Sequence, residues 1–123
     1  MSFKTEHKEN YTLIKFSTDK LDAVVAPDLK SELVIISKNG AKHIIVDMES
    51  VKYCDSSGLS ALLIGHRVCK ESKGAFVLCS LQLAVEKLVT ISQLDSILNI
   101  KKTSKDAADF IFLGEVEKNL DAE

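Results

Sequence analysis

Asp55, Ser56, Ser57 and Gly58 form the run in this chain whose residue types and spacing best suit a regulated chemistry. An apolar run, His43 to Met48, leads towards it, and the stretch after Gly58 is rich in Leu, Ala and Ile. The order reads as strand, loop, helix. Side chains that cap a helix are preferred at such a hinge, because their oxygens accept hydrogen bonds from first-turn N–H groups that have no partner within the helix. A hydroxyl there can also carry a phosphate, which would meet those N–H groups and the positive end of the helix dipole. The plainer reading is that Ser56 and Ser57 merely cap the helix, and the four residues alone leave both readings open.

Other chemistries lack their residues. The chain has no glycine-rich phosphate loop ending in Gly-Lys-Ser/Thr, no GxGxxG and no GxSxG, so neither a nucleotide cradle nor a strained serine nucleophile is expected. His7, His43 and His66 form no HExxH and no Cys/His cluster at ligand spacing, so no metal and no cofactor is expected. Ser17-Thr18-Asp19-Lys20 fits SxxK, but in a strand-to-loop break the lysine is not held beside the serine as a helical turn would hold it. Asn10-Tyr11-Thr12 fits the glycosylation sequon, which means nothing without a secretory signal. Cys54, Cys69 and Cys79 are odd in number, form no CxxC pair and lie in or beside apolar segments, which points to reduced core thiols. No catalytic constellation survives, and the expectation is a protein that is not an enzyme.

The elements that must position the Asp-Ser-Ser-Gly run can be read from pattern. At 123 residues, 46% hydrophobic and 28% charged, the chain is expected to form a single domain over 1–123. A net charge of −2 offers no basic field for nucleic acid. The start, MSFKTEHKEN, lacks an apolar signal core, and no apolar run approaches the roughly 18 residues of a membrane helix, so a cytoplasmic protein without membrane attachment is expected.

Phe3 to His7 and Tyr11 to Phe16 read as a hairpin about a polar turn, with Thr12, Ile14 and Phe16 on one face and Tyr11 and Leu13 on the other. After a polar break at 17–20, Pro27 suits the first turn of a helix running to Lys38, with Leu29, Leu33 and Ile36 inward and Asn39-Gly40 ending it. His43 to Met48 and Ala75 to Cys79 read as strands buried on both faces, joined by a helix over Ser57 to Glu71. On that helix Ala61, Leu62, Gly65, Val68 and Cys69 share a face. Leu59 and Leu63 fall beside Ser60, Arg67 and Lys70, as a flank of the core or as part of a docking patch. Ser80 is placed to cap a third helix with Leu81, Ala84, Val85 and Leu88 on one side, followed by a strand at Ile97 to Lys101. Thr103 or Ser104 opens a last helix, with Ala107, Ile111 and Gly114 or Leu113 inward and Glu115, Glu117, Asp121 and Glu123 fraying its end.

This order, β-β-α-β-α-β-α-β-α, and above all Asp47-Met48-Glu49-Ser50-Val51-Lys52-Tyr53-Cys54-Asp55-Ser56-Ser57-Gly58-Leu59, resembles the STAS family, shared by bacterial anti-sigma-factor antagonists and the cytoplasmic tails of sulphate transporters. Leu21-Asp22-Ala23 with Pro27, and Gly74 before Phe76-Val77-Leu78, extend the resemblance nearly end to end. It implies an α/β fold of the STAS-like (SpoIIaa-like) type, a mixed sheet with an N-terminal hairpin and helices covering it. It implies an antagonist that binds an anti-sigma factor, itself a serine kinase, and so releases the sigma factor. Phosphorylation of the second serine, Ser57 here, switches that binding off, and a serine phosphatase restores it. Asp22 and Asp55 match acidic positions beside the phosphorylated serine, Asp55 holding the loop as a cap, and with Ser56 and Gly58 they shape the switch loop. Cys54 departs from the family, which usually has a bulky apolar residue there. Leu59, Ser60, Leu63 and Arg67 are the candidate partner-binding residues, and the protein is expected as a monomer or weak homodimer. The alternative within the same fold is a non-catalytic scaffold or accessory subunit of a signalling or lipid-transport complex, with no serine modified.

Overall fold

The computed structural model describes residues 2–121. Strands β1 (Phe3–His7) and β2 (Thr12–Phe16) form the expected hairpin, antiparallel from Phe3↔Phe16 to His7↔Thr12. β2 then pairs in parallel with β4 (Ile44–Asp47), β4 with β6 (Phe76–Cys79), and β6 with β7 (Asn99–Lys101). The described residues thus build a mixed five-stranded sheet in the order β1-β2-β4-β6-β7.

Every residue of β4 and β6 is buried; the apolar runs Ile44 to Val46 and Phe76 to Cys79 require it, alternation along the pleat sends them to two cores, and the buried Asp47 carboxylate accepts the Glu49 amide at 2.9 Å. Ile44, Val46, Phe76 and Leu78 join the larger core with Ile14 and Phe16. Ile45, Val77 and Cys79 join a smaller one with Ala107 and Ile111, against which Tyr11 and Leu13 pack. Helices α1 (Ala26–Lys38), α2 (Ser56–Glu71) and α3 (Leu83–Ile91) contribute to the first core, and α4 (Ser104–Asp121) covers the second. The mixed sheet with an N-terminal hairpin and helices covering it, as expected from the sequence, is the architecture observed.

Several local readings are corrected. Two short strands escaped the pattern: β3 (Lys20–Leu21) and β5 (Tyr53–Cys54), which pair in parallel apart from the main sheet. Two residues are too few for a period to show. Ser80 caps nothing. It sits at φ 60, and α3 begins three residues later after Gln82. Val85 and Val89 are buried and Leu81 and Leu88 pack against the main core as expected, but Ala84 is exposed. β7 starts at Asn99 rather than Ile97, because a 3₁₀ turn at Leu94–Ser96 continues through N–H bonds from Ile97 and Leu98 to the Leu94 carbonyl. On α4 the hydroxyl of Thr103 caps the amide of Asp106 at 3.0 Å; Gly114 is half-buried and Leu113 is exposed.

The end of α4 does not fray at Glu115 or Glu117, since the helix continues to Asp121. Glu115 is tied to His43 Nε2 at 2.7 Å and Lys42 Nζ at 3.2 Å. Glu123 lies outside the described residues. Among the described residues no helix is long and apolar enough to cross a membrane.

Candidate functional site

α2 starts where β5 ends, and Asp55 makes the corner. Its backbone is extended (φ −111, ψ −173), its carboxylate accepts the Gly58 amide at 3.0 Å, and its carbonyl accepts the amide of Leu59. This is the geometry of an N-cap, in which an acceptor outside the helix takes up a first-turn donor. The cap is therefore Asp55. Ser56 and Ser57 lie inside the first turn and do not supply it, so capping does not account for either hydroxyl. Ser56 is exposed and Ser57 half-buried.

The second wall comes from the short strand pair. The amide of Asp55 donates to the Leu21 carbonyl at 3.3 Å. Gly58 lies so near β3 that a Cβ there would stand 2.4 Å from the Leu21 oxygen and 2.7 Å from Cys54 Sγ. Glycine is required by that approach, and Asp22, next after Leu21, is thereby brought to the start of α2. The Asp22 carboxylate accepts the amides of Val24 (3.1 Å) and Val25 (3.3 Å), and its carbonyl accepts those of Val25 and Ala26. Val25, at the cap position of α1, has no side-chain cap of its own, so Asp22 organises that helix entry too. Asp22, Asp55, Ser56, Ser57 and Gly58, scattered over 37 positions of sequence, thus share one corner of the molecule.

The proposed contact residues divide. Leu59, only 7% exposed, belongs to the main core, because the turn that aims Ser56 and Ser60 outward aims residue 59 at the sheet; it is not available to a partner. Leu63 is half-buried against the same core. Ser60 and Arg67 are exposed, and Arg67 stands about 15 Å along the helix from Ser57 at 1.5 Å per residue. The sequence reading missed an apolar rim at this end of the sheet: Val24 (80% exposed) after Asp22, Tyr53 (54%) on β5 and Leu83 (67%) at the start of α3. Gln82 ties α3 to this end through Nε2 and the Glu49 carbonyl, 2.6 Å apart. An aromatic ring two residues before the Asp-Ser-Ser run was the available signal, but its exposure follows from the two-residue strand that pattern could not reveal.

Cys54 is a buried thiol. Burial first, and then the Asp55 charge, push its thiol up to about 12. The other two cysteines are also free and buried, Cys69 raised to about 12 and Cys79 to about 11, mainly by burial. A thiol so raised stays protonated near neutral pH, when only the thiolate reacts readily.

The sequence profile of the STAS domain matches residues 2–107. A Bordetella bronchiseptica protein named as an anti-sigma factor antagonist, BtrV, is 25% identical over 107 residues, spanning 77% of this chain and 92% of its own. The structure of an anti-sigma-factor antagonist (STAS) domain protein from Planctomyces limnophilus superimposes with a TM-score of 0.78 at 23% identity, over 85% of this chain and 93% of that one. The phosphorylated form of the Bacillus cell fate determinant SpoIIAA does so with a TM-score of 0.69 at 22% identity, over 89% and 98%.

Proposed function

From a chain that belongs to the STAS domain family, we propose an anti-sigma-factor antagonist, a binding module without catalysis of its own, switched at Ser57. The observation that carries the proposal is the corner itself. Two serines in the first turn of α2 are left out of the cap by Asp55, beside the Asp22 turn and the exposed Val24, Tyr53 and Leu83. An apolar rim around polar hydroxyls suits a partner that must come and go.

Phosphate on Ser57 adds a charge of about −1.5 to −2 at neutral pH. The start of α2 accommodates it within the monomer, through open N–H groups and the helix dipole. Against a docked partner it places that charge beside Asp22 and Asp55, where desolvation and like charge oppose binding. A loss of ~3 kcal/mol weakens a complex more than a hundredfold, so the surface can switch with no change of fold. The partner is an anti-sigma factor that is a serine kinase, and a serine phosphatase reverses the modification.

The test is intact mass and peptide mapping of the protein from its own cells, in growth and under stress, with affinity capture of its partner. Phosphate on Ser57 that varies with condition, and a partner captured by Ser57→Ala but not by Ser57→Asp, is the expected result. Phosphate confined to Ser56, the more exposed hydroxyl, would move the switch by one residue. A stable partner with no phosphate in any condition would replace this reading by the scaffold subunit.

A further inference from the structure

A cleft of about 600 Å³ lies at the opposite end of the sheet from Ser57, among the first residues of β4, β6 and β7. It exists because β7 begins late. Its first residue, Asn99, pairs with Val77, so the start of β6 at Phe76 has no strand beyond it, and Asn99 Nδ2 covers the Phe76 carbonyl instead, at 3.3 Å. α2 contributes His66 and Lys70 to one wall and α4 contributes Phe110 and Gly114 to the other. Volumes of roughly 300 to 1,000 Å³ with apolar walls and a few polar groups are those of small-ligand sites.

Gly114 is the telling residue. In a helix interior glycine is less favourable than alanine by about 1 kcal/mol, and it is normally kept where a side chain would collide. Here a Cβ would meet nothing within 4 Å, whereas at Gly65 it would stand 2.3 Å from the Phe76 ring. Packing of the chain on itself does not demand glycine at 114. What its absent side chain leaves is the open volume of the cleft. Residue 114 also lies beyond the 2–107 span matched by the family profile, so this wall is outside what that resemblance covers.

The charges of the cleft are unequally occupied. Glu115 is held by His43, Lys42 and Lys118, and Lys118 also donates to the Lys73 carbonyl. His66 and Lys70, one helical turn apart, have side chains with no hydrogen bond or ion pair among the described residues, and both line the cleft. One ammonium and one imidazole suit a single negative charge. No arginine and no glycine-rich backbone cradle lines it for a phosphate. We propose that this cleft binds a monocarboxylate with an apolar body, its head group between His66 and Lys70 and its body along Ile97 and Phe110 over Gly114. The assignment is independent of the switch at Ser57.

The probe is decanoate below its micellar concentration, titrated into the uniformly ¹⁵N-labelled full chain, with 1-decanol as the uncharged comparison. Saturable shifts are expected at Ala75, Asn99 and the α4 amides around Gly114, with weaker binding of 1-decanol. Lys70→Gln should weaken decanoate by about fivefold, the effect of one exposed charge. Gly114→Leu should abolish it while leaving the melting temperature unchanged or higher. Absence of saturable shifts, or undiminished binding by Gly114→Leu, overturns the site. Equal binding of 1-decanol overturns the carboxylate. Should Gly114→Leu fail to fold, Gly114→Ala, which narrows the same space by one methyl, must weaken decanoate for the site to stand.

Discussion

Replacing Gly58 by alanine adds one methyl group at the corner on which the candidate switch depends. The new Cβ would stand 2.4 Å from the Leu21 carbonyl, 2.7 Å from Cys54 Sγ and 2.9 Å from Leu21 Cγ. The nearest obstacle is backbone, in a strand that also accepts the Asp55 amide, and Leu21 and Cys54 are both buried, so no flexible side chain can yield alone. Forcing a methylene into a packed site costs about 1–3 kcal/mol, and a backbone wall argues for the upper end. Alanine returns at most about 1 kcal/mol of helix propensity. The net expectation is a destabilisation of about 2 kcal/mol. With an unfolding entropy of ~2.1 cal/mol/K per residue, that is a fall of roughly 8 °C in melting temperature for a chain of this length. Gly114→Ala is the internal control, because it is the same change on a helix with open space at the Cβ. It should gain about 1 kcal/mol, or roughly 4 °C. Thermal and urea unfolding followed by circular dichroism measure both. Opposite signs are required. Gly58→Ala as stable as the parent, or Gly114→Ala less stable, would refute the packing argument at that position.

Three further outcomes are expected. Asp55→Ala removes the acceptor for the Gly58 amide and should cost about 1 kcal/mol in urea unfolding, whereas Asp55→Asn, which keeps an oxygen there, should cost clearly less; equal losses would mean the cap is not the source. Leu59→Ala should cost about 2–5 kcal/mol as a core truncation, and a variant that keeps its melting temperature but loses a partner would return Leu59 to the docking surface. His43 is buried with Nδ1 accepting the Ala75 amide and Nε2 against Glu115, so its neutral form fits, and burial, the largest influence, lowers its pKa from the ordinary 6.5 despite Glu115. The unfolded chain then binds this proton first, so the contribution of His43 is complete above pH 6.5 and is lost as pH falls below it towards the lowered folded value. Urea unfolding across that interval should show a decline that His43→Phe flattens, and a parent profile flat from pH 7.5 to 5 would contradict it.

Periodicity and punctuation carried most of this architecture. The runs at 44–46 and 76–79 are apolar at successive positions, and only a sheet covered on both faces can bury them all, which is why the parallel core strands were legible. Leu29, Leu33 and Ile36, with Pro27 before and Gly40 at φ 101 after, define α1 by local chemistry alone. The Asp-Ser-Ser-Gly run marked the start of α2 because capping is a short-range preference.

What local pattern could not decide was what would lie against those residues. The Leu21 carbonyl meets Gly58 only after β3 and β5, each two residues long, have paired across 33 positions of sequence. Only then do Asp22 and Ser57 share a surface, Leu59 turn inward and Tyr53 remain exposed. The pairing of His43 with Glu115, 72 positions apart, is of the same kind. Residue spacing determines which face of an element is apolar. What that face meets is settled when the elements pack, because the decisive contacts join segments whose separation along the chain carries no period.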